Sequence, residues 1–283
     1  MHLLYNYTLH ARNSPVTFYV TIRYYLFQKR FDSVSVASTE VVITVKHKNI
    51  PLNERIIFAL DVDSKEEAEK WVDCLGDHIK FYKVGLQLFL AGWFPAIRMI
   101  TERGHKVMVD LKIFDVPETV KLALRQLRHK NITFATVHGN DPILRAAVDE
   151  RNGMKILSVT VLTSFGEEDM KEMGFTGTIE DLVFIRAKRA LEIGCNGVVS
   201  SGLEASRLRE DLGDNFLIVT PGIRPGKNIE IEEDDQVRIL TAQKAIINGA
   251  DYVVVGRPIS RAKDPVAVVK SMQNEIQKGL TTG

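Results

Sequence analysis

The sequence predicts an α/β fold: a (β/α)8 TIM barrel, forming a single domain behind an N-terminal extension. Three observations carry this reading. From Asn49 onward, eight short β-branched or aliphatic runs alternate with amphipathic stretches, the pattern of right-handed βαβ crossovers on a parallel sheet. This alternating part fills about 235 of the 283 residues, close to the roughly 250 residues of one closed barrel. The first run leads into Asp61-Val62-Asp63-Ser64. None of the glycines of a doubly wound dinucleotide fold stands at that turn, so the open sheet ranks second.

The eight strand-like runs are 56–60, 79–84, 106–111, 134–137, 156–162, 197–200, 216–220 and 252–255. Helical stretches fall between them, among them 64–75, 117–128, 179–193 and 236–248, and 265–277 follows the last run. Ser64 with Glu67 reads as a capping box at a helix start. Gly104, Gly194 and Gly249 stand where helices should stop. Trp71 and Trp93 lie in helical stretches and read as packing residues.

Residues 1–48 have a different composition. They carry six Lys/Arg against two Asp/Glu, contain no glycine, and hold five of the seven tyrosines. Their formal charge is therefore +4, which leaves −3 on residues 49–283 for the chain's total of +1. Segments 16–25 and 34–45 are rich in Val, Thr and Tyr and read as strands, with no Asn-Gly turn to join them. The Arg content suggests a transit peptide, but the amphipathic helical pattern of one is missing, and so is a signal-peptide core. The expectation is an extension ahead of a complete barrel domain 49–283, poorly ordered or arising from a misassigned start. The alternative is an extra hairpin packed on the barrel or on a partner.

Composition narrows the function. A net charge of +1 gives no global basic field toward nucleic acid or an anionic membrane. No apolar run approaches the ~18–20 residues of a transmembrane helix. The two cysteines, Cys74 and Cys195, are far apart, which fits a reducing, cytoplasmic setting and neither a disulfide framework nor a zinc site.

Charges stand where a barrel is normally apolar. Strand one ends at Asp61, strand two at Lys83, and strand three at Asp110-Leu111-Lys112. Inward positions of barrel strands are usually Val, Ile or Leu, and catalytic groups come from the C-terminal ends. Asp110 and Lys112 are two apart and so share a side. An alternating acid–base array can satisfy itself there, as a structural network or as a catalytic one. Asp115 and Thr119 follow in the loop and first helical turn, where an N-cap and a surface polar residue are the ordinary roles.

The opposite half carries a phosphate signal. Strand seven runs into Thr220-Pro221-Gly222-Ile223-Arg224-Pro225, and strand eight into Val255-Gly256-Arg257-Pro258-Ile259. Loops after these two strands hold a phosphate in many barrels. Gly256 lets backbone N–H groups approach an anion, and Arg257 offers a planar fork of donors. Asp264-Pro265 opens the next helix, whose N-terminus favours nearby anions. Residues 227–235 are acidic and polar and read as a covering loop, after which Gln236 can donate its amide. Thr163 and Ser164, after strand five, bind a ligand or cap. His138, after strand four, reads as a satisfied barrel histidine.

Taken in order, these segments resemble the bacterial type of the orotidine 5′-monophosphate decarboxylase family. The resemblance rests on Phe58-Ala59-Leu60-Asp61, Lys83-Val84-Gly85, the decamer Asp110 to Thr119, Val159-Thr160-Val161-Leu162-Thr163-Ser164 and the two phosphate-end motifs. It covers about residues 50–280. It implies conversion of orotidine 5′-monophosphate to UMP and carbon dioxide, the last step of de novo pyrimidine synthesis, with no metal or cofactor. It also implies a homodimer with shared active sites. Carried over by position, Lys83, Asp110, Lys112 and Asp115 form the charged array, with Asp115 and Thr119 reaching in from the partner. Lys112 is then the proton donor to C6, Asp61 and Lys83 hold the ribose, and Thr163 addresses the pyrimidine. Gln236, Gly256 and Arg257 hold the phosphate, with Arg224 at the same end. The acidic stretch before Gln236 is longer than the family's usual loop. A sister group, hexulose-phosphate synthases and ketogulonate-phosphate decarboxylases, shares Asp-x-Lys-x-x-Asp and uses magnesium. A non-catalytic phospho-ligand-binding barrel is the remaining alternative.

Overall fold

The computed structural model describes residues 7–10, 19–23, 38–42, 47–225 and 239–282. In the extension, β1 (Tyr7–His10), β2 (Tyr19–Arg23) and β3 (Ser38–Val42) form an antiparallel sheet in the order β1-β2-β3. The last two fall inside the strand-like segments 16–25 and 34–45, whereas β1 was not expected. The rest of those segments lies outside the described residues.

Eight parallel strands close the barrel. They are β4 (Ile56–Ala59), β5 (Phe81–Gly85), β6 (Lys106–Ile113), β7 (Phe134–Val137), β8 (Lys155–Val159), β9 (Gly197–Val199), β10 (Leu217–Thr220) and β11 (Tyr252–Val255). Neighbours pair in sequence order, and β11 returns to β4 through Val253↔Ile56, Val254↔Ile57 and Val255↔Phe58. Period-2 alternation sorts the side chains. Ile57, Phe81, Met108, Phe134, Leu157, Leu217 and Tyr252 fill the interior. Ile56, Phe58, Tyr82, Val107, Val253 and Val255 face the helices. Phe81, Phe134 and Tyr252 make the floor, with ring centroids 4.9–5.6 Å apart. Continued along β5, β6 and β7, the same alternation brings Lys83, Asp110 and Thr136 inward above that floor.

The helices are α1 (Leu52–Arg55), α2 (Lys65–Leu75), α3 (Leu86–Glu102), α4 (Pro117–Arg125), α5 (Asp141–Asp149), α6 (Glu167–Glu172), α7 (Ile179–Ile193), α8 (Ala205–Leu212), α9 (Ala242–Ile247), α10 (Arg257–Ser260) and α11 (Pro265–Thr282). Their ends follow local chemistry. Ser64 Oγ accepts from the Glu67 N–H at 3.1 Å, and Asp264 Oδ1 from the Ala267 N–H at 2.9 Å. Gly194 ends α7 with φ 105°, the left-handed region that favours glycine.

Below the floor lies a buried ion network. Asp251 accepts from Arg209 Nη2 at 2.8 Å, Lys48 Nζ at 3.0 Å and the Ile218 N–H at 2.9 Å. Arg55 donates to the Asp251 and Lys48 carbonyls at 3.1 and 2.6 Å. Lys48, grouped by composition with the extension, thus docks on Asp251, just before β11. Burial, helped by Arg209, outweighs the attraction of Asp251 and holds the Lys48 ammonium below its ordinary range.

Several sequence-based limits move. The fifth strand ends at Val159 rather than 162, so Thr163 and Ser164 sit in the following loop. The third strand runs on to Ile113. The stretch 236–248 becomes α9 only from Ala242, because Thr241 caps the helix by accepting from the Lys244 N–H. Residues 236–238 lie outside the described residues. Trp71 packs on Phe58 at 5.4 Å as expected. Trp93 packs on Phe89 at 5.2 Å but is more than half exposed, with φ 43°, at a kink inside α3.

Candidate active site

At the C-terminal end of the barrel lies a cavity of about 430 Å³. Asp61, Lys83, Asp110, Lys112, Thr163, Arg224, Gly256 and Arg257 all line it. The first four form one alternating chain of charge. Lys83 Nζ lies 3.0 Å from Asp61 Oδ1 and 3.7 Å from Asp110 Oδ2, and Lys112 Nζ lies 2.9 Å from that same Asp110 oxygen. The side chains differ in their access to water. Asp110 is 9% exposed and Lys83 12%, whereas Lys112 is 38% and Asp61 55% exposed. Asp110 is therefore the buried hub, and Lys112 the cation that meets the cavity.

Burial alone pushes the Asp110 carboxyl up. The Lys83 and then the Lys112 ammoniums, with hydrogen bonds from Lys112 and Thr136, outweigh it and hold the group below the usual carboxylate range. Asp110 is ionised at neutral pH. Its charge is balanced within the chain, which is what makes burial tolerable.

The placement of Lys112 depends on an irregularity. β6 and β7 pair at Met108↔Phe134 and Val109↔Ala135, then again only at Ile113↔Val137, with the register shifted in between. Lys112 has φ 47°, a left-handed backbone that costs a non-glycine residue roughly 1–2 kcal/mol. Asp110 and Lys112 share a side as the period-2 argument expects, but through a bulge rather than a regular strand. A side chain just before α3 would displace the Lys83 ammonium from its place. A Cβ on Gly85 would lie 2.8 Å from Lys83 Nζ and 3.3 Å from Asp61 Oδ1.

The other half of the rim carries the phosphate candidates. Gly222 follows Pro221 with φ 75°, the value a Pro-Gly turn needs. Beyond it, the Arg224 N–H donates to the Leu240 carbonyl at 2.9 Å, and the Leu240 N–H to the Gly222 carbonyl at 3.1 Å. This clasp ties the segment after β10 to the segment before α9. Gly256 caps the short helix α10, which Arg257 opens. The covering stretch 227–235 and Gln236 lie outside the described residues.

Asp115 and Thr119 do not line the cavity. Both are exposed, Asp115 on the β6–α4 connection, where the Val116 N–H donates to its Oδ1 at 2.7 Å, and Thr119 in the first turn of α4. Phe114 and Val116, on either side of Asp115, are exposed apolar residues.

A family model described as "Orotidine 5'-phosphate decarboxylase / HUMPS family" matches residues 54–272. The chain belongs to this family. An orotidine 5'-phosphate decarboxylase of Methylococcus capsulatus is 46% identical over 240 residues, covering 84% of this chain and 98% of that protein. One of Nitrobacter winogradskyi is 45% identical over 84% and 99%. The crystal structure of orotidine 5'-phosphate decarboxylase from Lactobacillus acidophilus superposes with a TM-score of 0.69 at 35% identity, covering 79% of this chain and 99% of that one.

Within this decarboxylase-family barrel, sequence reasoning missed Thr136 and Ser200. Thr136 is fully buried and bonded to both Asp110 and Lys112. Ser200, just beyond β9, is buried and lines the cavity. Each is a polar residue near the C-terminal end of an apolar run, the same signal that drew attention to Asp61 and Lys83. His138 is half the satisfied histidine expected: the ring has a backbone hydrogen bond at Val159, whereas Nδ1 has no hydrogen-bond partner among the described residues. Burial, and then Arg186, lower its pKa, which leaves the ring neutral against Phe114.

Proposed function

We propose that this cavity decarboxylates orotidine 5′-phosphate to UMP and carbon dioxide, the last step of pyrimidine synthesis, with Lys112 as the proton donor. The observation that carries it is the chain Asp61–Lys83–Asp110–Lys112 across one cavity from Arg224, Gly256 and Arg257. Loss of carbon dioxide leaves an electron pair at C6 that the ring delocalises poorly. An ammonium fixed beside C6 stabilises that charge as it develops and then delivers a proton to it. Lys112 suits the role because it is cationic, held by Asp110 and open to the cavity. The substrate carboxylate would lie against Asp110, a like-charge contact that disappears as carbon dioxide leaves.

Asp61 and Lys83 would hold the ribose hydroxyls, Thr163 the pyrimidine edge, and Arg224, Gly256, Arg257 and Gln236 the phosphate. Phosphate binding far from C6 can drive closure and orientation and so lower the barrier. In this reading the lysine ammoniums supply the positive charge: Asp61 and Asp110 are already paired with Lys83 and Lys112.

The working unit is a homodimer that shares its active sites. Leu86, Leu90 and Trp93 on α3, with Phe114, Val116 and Leu122 at α4, are exposed apolar side chains that a second subunit would cover. Asp115 projects from that surface, outside its own cavity, and would complete the partner's array, as would Thr119. The setting is cytoplasmic, in keeping with two free cysteines. No helix among the described residues is long and apolar enough to cross a membrane. Incubating the protein with orotidine 5′-phosphate and separating the products tests the reading. UMP formation is expected. A folded protein that binds UMP but forms none would favour a phospho-ligand-binding barrel without chemistry.

A further inference from the structure

We propose that Thr136 is a positioning residue for the decarboxylation, its single hydroxyl fixing both the Asp110 carboxylate and the backbone of Lys112. The inference rests on the reading of Lys112 as proton donor.

Thr136 lies on β7, two residues after Phe134 and on the same inward side, where a barrel normally carries an aliphatic residue. It is fully buried. Its Oγ1 makes two hydrogen bonds, each of 2.9 Å, to the Lys112 N–H and to Asp110 Oδ1. The Lys112 amide can only donate, so the hydroxyl must accept there. Its one proton is therefore directed to Asp110. Valine would have the same shape and could do neither.

The bulge explains why a hydroxyl is needed. Because β6 and β7 lose register between Val109 and Ile113, Lys112 stands outside the regular ladder. A buried backbone N–H without a partner is costly. Thr136 Oγ1 takes the place of the ladder carbonyl and holds Lys112 in its left-handed conformation. The other bond engages Asp110 Oδ1, so that Oδ2 faces the Lys112 and Lys83 ammoniums at 2.9 and 3.7 Å. Charged groups thus face Asp110 from β5 (Lys83) and β6 (Lys112), and Thr136 faces it from β7. Asp61, beyond β4, lies on the far side of Lys83. One side chain sets both the aim of the carboxylate and the base of the lysine that answers it.

The test compares Thr136→Val, Thr136→Ser and Lys112→Ala by kcat, KM and the pH profile of kcat/KM. Thr136→Val is expected to lower kcat about 10- to 100-fold, the effect of losing hydrogen bonds to a charged group, with KM changed less than about threefold. The acid limb of its profile should move to higher pH, because a hydrogen bond that favours the Asp110 carboxylate is gone. Thr136→Ser keeps the hydroxyl and should restore kcat to within about threefold of the natural protein. If Thr136→Val does not fold, Thr136→Ala set against Thr136→Ser gives the same contrast. An inactive Lys112→Ala beside a Thr136→Val of undiminished kcat and unmoved acid limb would overturn the positioning role alone. So would a serine variant as slow as valine. A fully active Lys112→Ala would overturn the reading of the site, and the role of Thr136 with it.

Discussion

Replacing Lys112 with alanine removes the cation nearest the cavity, and the structure sets the size of the effect. Lys112 Nζ and Lys83 Nζ lie 2.9 and 3.7 Å from a carboxylate oxygen, distances typical of an ammonium held against a reacting anion. Unit charges at that range attract by about 6 and about 4.5 kcal/mol at an effective dielectric constant near 20. Lys112 is 38% exposed before substrate arrives. Halving the Lys112 figure for solvent screening leaves about 3 kcal/mol, or roughly 150-fold in rate. Loss of the proton donor removes a further ~10²–10⁴-fold. Lys112→Ala should therefore lower kcat by roughly 10⁴- to 10⁶-fold. UMP affinity should change little, because the ribose and phosphate contacts assigned above remain. The assay is the ultraviolet absorbance change on decarboxylation, paired with calorimetric titration of UMP. Turnover within tenfold of the natural protein would refute the assignment. A matching collapse of UMP binding would make Lys112 a binding residue instead.

Mixing inactive Lys112→Ala and Asp115→Ala proteins should restore activity, because one site of each mixed dimer would be intact; exchanged subunits without activity would contradict the shared site. Asp251→Ala should destabilise the barrel by about 3–5 kcal/mol, since it leaves buried Arg209 only the distant, half-exposed Asp214 at 4.0 Å as counter-charge; urea unfolding reads this, and an unchanged midpoint would contradict it. Asp110 has a depressed folded-state pKa. Its contribution to stability is therefore present above its unfolded value near 3.9 and lost as pH falls through the lower folded value. Asp110→Asn should accordingly flatten the acid end of the stability profile, and an unaltered profile would contradict this.

The barrel was legible because its strands are short apolar runs and its helices carry their own punctuation. α7 begins and ends where the sequence places it, with Thr178 and Gly194 as caps. Strand ends were less legible. Leu162 continues an apolar run past Val159, yet it is exposed in a loop, since the chain turns there to line the cavity. The rim charges were legible because a buried Asp or Lys in a barrel strand needs a reason. The bulge at Lys112 was not, because register depends on the neighbouring strand and leaves no local mark. Thr136 was overlooked for a related reason. Threonine is an ordinary strand residue, and only its two bonds across the bulge distinguish it. Asp115 could be placed by spacing on the connection after β6, but not in a cavity, since its own cavity does not receive it.

Lysine ammoniums, carboxylates and a phosphate cradle are proposed to carry this reaction without a metal. Decarboxylation of orotidine 5′-phosphate in the presence of EDTA, followed by ultraviolet absorbance, tests it most directly. The same rate is expected with and without the chelator, and no stimulation by added magnesium. Activity abolished by EDTA and restored by magnesium would contradict it.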